Sequence, residues 1–146
     1  VKRQYSRAHS WAFDGGVTIP AAASPSAVPA QFTDPAAVDP EEAYVASIAS
    51  CHMLSFLPFA ALAGFEVLRY EDHAVGHMTK NERGVQWVSS VDLSPRITYA
   101  DGRAPDATAE EELHHRAHEA CYIANSVKTE IRVRAAVGTP DGGATL

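Results

Sequence analysis

Cysteine is scarce in this chain: Cys51 and Cys121 are the only two among 146 residues. A pair so far apart is no disulfide scaffold. The chain also has no C-x-x-C and no H-E-x-x-H, so the common zinc and metalloprotease signatures are excluded. Basic residues are short as well. Twelve Lys and Arg stand against eighteen Asp and Glu, a net charge of −6, which argues against a nucleic-acid backbone as partner. No internal repeat is present. The N-terminal stretch is polar, without a secretory pattern, so the expected location is the cytoplasm, where a cysteine pair is more often catalytic or redox-active than structural.

Charge is absent altogether from residues 43 to 65. That run is long enough to span a bilayer. It is nonetheless rich in Ala and Ser, contains His52 and Pro58, and lacks basic asymmetry and aromatic belts at its flanks. The expectation is a buried central helix of a soluble domain, bent or broken near Pro58, with no membrane contact. Its start is well marked. Asp39 can cap, Pro40 suits the first helical position, and Glu41 and Glu42 place negative charge at the positive end of the dipole. Gly64 suits its C-terminal end.

The 46% apolar content is that of an ordinary globular chain, and 146 residues make one domain. Tyr5 to Phe13 alternates and reads as a strand carrying Tyr5, Arg7, His9, Trp11 and Phe13 on one face. Asp14-Gly15-Gly16 turns it into Val17–Ile19. Residues 20–38 read as a long loop. Phe65–Met78 and Val85–Tyr99 read as a hairpin, with Pro95 ending the second strand or placing it at an edge. A second helix is expected from a cap at Thr108 through an acidic first turn, with Leu113, Ala117, Ala120, Cys121 and Ala124 at helical spacing. Ile131–Val137 reads as a last strand and residues 139–146 as a flexible tail. The fold class is α+β, helices packed on antiparallel sheet.

Three groups of residues carry possible chemistry. Cys51 and Cys121 lie on the two expected helices; a buried cysteine usually acts as a small hydrophobe, and a functional pair requires the sulfurs to meet and one to be a thiolate. Cys51 is mid-helix, so a nearby Arg or His must activate it. Glu41, nearly three turns before Cys51, either complements the dipole or pairs with an arginine, and Arg7 on an aromatic strand face is a candidate, with Arg3 second. Among the histidines, His114 and His118 are four apart. A zinc site of His118, Cys121, Cys51 and His52 matches no established spacing, and the histidines read better as solvated or capping groups.

The run Asp39-Pro40-Glu41-Glu42 followed by Ala46-Ser47-Ile48-Ala49-Ser50-Cys51-His52-Met53-Leu54 resembles the first cysteine helix of the OsmC/Ohr family. Leu113-His114-His115-Arg116-Ala117-His118-Glu119-Ala120-Cys121 resembles its second. The likeness covers nearly the whole chain. It departs at Tyr122, where the best-known members have proline after the second cysteine, at His52-Met53-Leu54, and at the N-terminal stretch, which is not the arginine loop of the Ohr branch. A less studied branch is implied.

The resemblance implies an OsmC-like fold, with antiparallel sheets packed on two cysteine-bearing helices in an intertwined homodimer and active sites at the subunit interface. It implies a thiol-dependent peroxidase for organic hydroperoxides, weaker on hydrogen peroxide, with no metal or organic cofactor. Cys51 matches the peroxidatic cysteine, Cys121 the resolving one, and Glu41 the glutamate that pairs with the arginine, here assigned to Arg7. The Cys51 thiolate then becomes a sulfenic acid, Cys121 condenses with it, and an external dithiol of lipoyl or thioredoxin type reduces the disulfide. Met53, Leu54 and Phe56, with the aromatics of the first strand, are expected to line the alkyl pocket. The competing reading is a non-catalytic protein of the same fold that binds an apolar ligand, its cysteines a redox switch or core residues.

Overall fold

A computed structural model describes residues 4–100 and 102–134. Arg3, Asp101, the end of the expected last strand and the tail at 139–146 lie outside the described residues. The chain falls into two compact units, one ending at Tyr44 and the other beginning at Val45.

In the first unit, β1 (His9–Ala12) pairs antiparallel with β2 (Thr18–Ala21). The expected Gly turn is there: Phe13 N–H donates to Val17 at 2.9 Å, and Gly16 takes φ +85°, which favours glycine. The first strand is shorter than its alternation suggests, so Tyr5 and Arg7 precede it. The loop at 20–38 is also less irregular than expected. Pro20 and Ala21 belong to β2, Ala21 bridges Val38, and Ala30–Phe32 forms a 3-10 turn. Asp39 then opens α1 (Pro40–Leu62) with a reciprocal cap. Glu42 N–H donates to the Asp39 carboxylate at 2.8 Å and Asp39 N–H to the Glu42 carboxylate at 3.1 Å.

α1 passes through Pro58 without a break and stops before Gly64, at φ +86°. Among the described residues it is the one helix long and apolar enough to cross a membrane. Four of its residues, Ile48, His52, Phe56 and Ala60, recur at every fourth position and are buried. Phe56 and Ala60 pack with Leu113 and Ala117 of α2 (Ala107–Ala120), flanked by Val67, Tyr70 and Ile97 of the sheet. The rest of α1 departs from the expectation of full burial. Leu54 is 61% and Leu62 82% exposed.

The long hairpin is really two pairs of shorter strands. β3 (Val67–Asp72) pairs with β6 (Pro95–Tyr99), and β4 (Val75–Lys80) with β5 (Gln86–Leu93), all antiparallel. The bend is held where Ser94 N–H donates to the Asp72 carboxylate at 2.7 Å. Pro95 thus begins a strand after the second expected strand has been interrupted, close to where its missing N–H placed the stop. β7 (Glu130–Val133) joins β5 in parallel, Val91 opposite Ile131 and Leu93 opposite Val133. That pair is the departure from the antiparallel expectation; the α+β class stands.

Candidate functional site

The core that joins α1 to α2 also brings the two cysteines together. Cys51 sits one position before the buried stripe of α1 and is half-buried. Cys121 is 1% exposed and closes α2 as its C-terminal cap, with φ −71° and ψ 116°. The second helix is capped two residues earlier than expected, by Asp106 rather than Thr108; Asp106 accepts from Ala109 N–H at 2.8 Å, and the helix ends at Ala120. Ala124, taken as a further helical position, starts a separate 3-10 turn (Ala124–Ser126).

That turn lies against both sulfurs. Ile123 N–H donates to Cys51 Sγ at 3.5 Å, and Ala124 N–H to Cys121 Sγ at 3.4 Å. Burial first, and then the neighbouring Cys51 thiol, push the Cys121 thiol up from its ordinary value. A Cys121 S–H that keeps its proton remains a hydrogen-bond donor. Cys121 is also at the negative end of α2, where a thiolate gains nothing from the dipole. Both cysteines are free thiols.

A cavity of about 490 Å³ opens beside Cys51, lined by Ser47, Ser50, Leu54, Ser55, Ala120 and Tyr122. It is built from the α1 face adjacent to the buried stripe and from the end of α2. Leu54 is the one expected wall residue found there. Phe56 points the other way, into the core, and Met53 is not part of the lining. Among the described residues, no arginine lines this cavity.

Arg7 and Glu41 stand as follows. Arg7 precedes β1 and lays its guanidinium over the Tyr5 ring, 3.6 Å from the centroid, with Phe32 at 5.9 Å; it also donates to the Tyr5 carbonyl. Glu41 is half-buried in the first turn of α1. Among the described residues the two form no ion pair with each other. Glu42, expected only to complement the helix dipole, also closes the cap by accepting from Asp39 N–H.

The histidines depart most from the sequence reading. His52 and His114 are not solvated but buried, His52 Nε2 lying 3.0 Å from His114 Nδ1, with the Phe56 ring 4.5 Å from that of His114. Burial, followed by the neighbouring His114 and His118, pushes His52 down to about 4; burial alone pushes His114 to about 4. Both are neutral at neutral pH. The imagined zinc set does not assemble: among the described residues no group of three or more His, Cys, Asp or Glu side chains is placed to hold a metal ion. Sequence reasoning also missed the donor turn after α2. Its signal was Asn125, four residues past a cysteine at a helix end, a residue type that favours turns over helix interiors.

A family model described as OsmC-like protein matches residues 33–136. An OsmC-like protein of unknown function from Vibrio cholerae is 48% identical, with 91% of this chain and 86% of that one covered and a TM-score of 0.88. The organic hydroperoxide resistance protein OhrB of Bacillus subtilis shares the fold at 21% identity, with 91% and 93% covered and a TM-score of 0.70. An organic hydroperoxide resistance protein from Elizabethkingia anophelis does so at 16% identity, with 92% and 96% covered and a TM-score of 0.66. No curated protein matches the chain.

Proposed function

For this chain, which belongs to the OsmC-like protein family, we propose a cysteine-based peroxidase that reduces organic hydroperoxides and, more weakly, hydrogen peroxide. The observation that carries the reading is the pair of thiols gathered at one turn, Ile123 N–H on Cys51 Sγ and Ala124 N–H on Cys121 Sγ, with Cys51 at a cavity and Cys121 buried. Fold neighbours described as organic hydroperoxide resistance proteins support the choice of substrate class.

In the proposed cycle the Cys51 thiolate attacks one peroxide oxygen. The O–O bond breaks, a proton reaches the departing oxygen, and alcohol leaves a Cys51 sulfenic acid. Cys121 supplies its thiol. An S–S bond forms, the sulfenic oxygen leaves as water, and the two-electron oxidation now resides in the disulfide. An external dithiol, of lipoyl or thioredoxin type, reduces it by exchange and is itself left as a disulfide. Leu54, Ala120 and Tyr122 offer apolar surface for the alkyl group, and Ser47, Ser50 and Ser55 edge it with hydroxyls.

The charged partner of the reaction is proposed to be Arg7, oriented by Glu41, in a site completed between two copies of the chain. The apolar faces left open support a homodimer: in the 18-residue window that makes α1 apolar enough to span a membrane, only 22% is buried, and β4 is exposed along its length. A second copy on those faces gives the helix a protein environment rather than a lipid one, and two free thiols suit a reducing cytoplasm. The test is turnover with cumene hydroperoxide and a dithiol. Cys51→Ser is expected to abolish peroxide consumption; full activity in that variant would end the proposal.

A further inference from the structure

The turn after α2 is fastened at more points than its length requires. Asn125 Nδ2 donates to the carbonyls of Glu119 at 2.8 Å and Cys121 at 2.9 Å, and its own N–H donates to Cys121 O at 3.1 Å. Ser126 N–H donates to Ile123 O at 2.9 Å, and its hydroxyl to Tyr122 O at 2.7 Å. The last carbonyls of a helix have no intrahelical donor. Here one side-chain amide satisfies two carbonyls at that end and ties down the next four residues. The peptide planes of 122–124 are thereby held, and those planes carry the two N–H groups aimed at the sulfurs.

We infer that Asn125 is a positioning residue: it holds the Ile123 N–H on Cys51 Sγ, so that a backbone donor, not only a cationic side chain, stabilises the Cys51 thiolate. The physical basis is that a hydrogen bond to an ionised acceptor is roughly twice as strong as one to its neutral form, so a fixed donor favours the thiolate. A fixed backbone N–H needs no reorganisation when charge develops, which is why such donors are effective where an anion must form. Among the described residues, the lining of the Cys51 cavity offers no cation for this task. Asn125 touches neither sulfur, so it acts through Ile123. The claim concerns the reactivity of the thiol and stands whether or not a hydroperoxide is the electrophile.

The experiment is alkylation of the reduced full-length protein by iodoacetamide, followed by mass mapping of the Cys51 peptide across pH. Asn125→Asp is nearly isosteric but cannot donate. It is expected to slow Cys51 alkylation at pH 7 by roughly three- to tenfold and to match the parent rate at pH 10, where the thiol is ionised in both. Simple loosening of the turn would instead speed alkylation at every pH by exposing the sulfur. An unchanged rate at pH 7, or that uniform acceleration, overturns the inference. A second readout needs no Asn125 variant. In ¹⁵N-labelled parent protein the Ile123 amide proton is expected to move downfield as Cys51 ionises, and to lose that response in Cys51→Ser. An Ile123 amide that ignores the Cys51 titration overturns the inference. Neither readout uses peroxide, so failure here leaves the peroxidase proposal untouched, and failure there leaves this one.

Discussion

His52 Nε2 lies 3.0 Å from His114 Nδ1, and each imidazole keeps its other nitrogen buried, without a partner among the described residues. In the unfolded chain an imidazole takes up a proton near pH 6.5. In the fold, burial pushes both groups down to about 4. Between those values the unfolded chain binds more protons than the folded one. The contribution is therefore complete above pH 6.5 and is lost as pH falls toward 4, on the order of 3 kcal/mol for one imidazole. Urea midpoints measured from pH 7.5 to 4 are expected to fall over that window, and the double variant His52→Leu with His114→Leu to flatten the fall. An equally steep fall in the double variant would place the acid sensitivity elsewhere.

The wall between the two helices depends on Phe56. Its ring is fully buried and meets both His114 and Tyr70, with centroids at 4.5 and 5.8 Å. Phe56→Ala is expected to cost about 3–5 kcal/mol, the range for deleting a buried aromatic ring. Because this wall seats α1 on α2, hydrogen exchange at Ile123 and Ala124 should accelerate with it. A loss under 1 kcal/mol in denaturant unfolding would show that the helices are held by other contacts.

Gly76 on β4 has no room for a side chain. A Cβ there would stand 2.6 Å from Val45 Cγ2 on α1, and β-branched valine has little rotamer freedom to withdraw. Gly76→Ala is expected to destabilise by roughly 1–3 kcal/mol. Pairing it with Val45→Ala should remove most of that cost, seen as a favourable interaction term in a double-mutant cycle. Additive losses would mean that the strain arises from the backbone rather than from this contact.

If Cys121 resolves the oxidised Cys51, Cys121→Ser should stop the cycle after its first half. One equivalent of organic hydroperoxide is then expected to be consumed, with a mass gain of one oxygen on the Cys51 peptide and no recovery through an internal disulfide. Sustained turnover in this variant, at the parent rate and with the same dithiol, would remove Cys121 from the mechanism.

Much of this was legible in local sequence. Asp39 announced the cap, Gly16 the hairpin, and Gly64 the end of α1, because each signal acts within a few residues; that Glu42 returns the bond to Asp39 N–H was not read from the sequence. The α+β class followed from the two apolar periods. What stayed hidden was long-range. The bend in the hairpin depends on Asp72 reaching Ser94, and the parallel seat of β7 depends on β5, neither visible as a local pattern. The end of α2 was misread because Ala124 continues the apolar spacing, while Asn125 takes the carbonyls at Glu119 and Cys121 into a turn. The buried pair of histidines, 62 positions apart, could not be told from two solvated ones. Of the candidate site residues, the fold brings Cys51 and Cys121 together. It leaves Arg7 on Tyr5, so the arginine remains part of the proposal for a second copy.

The central claim is that Cys51 and Cys121 form one redox couple. It is tested most directly by titrating free thiols in the reduced protein before and after one equivalent of cumene hydroperoxide, then mapping the products by non-reducing mass analysis. The account predicts rapid loss of both thiols and an internal Cys51–Cys121 disulfide. Two intact thiols, or loss no faster than that of free cysteine, would contradict it and favour a protein that binds apolar ligands without turning them over.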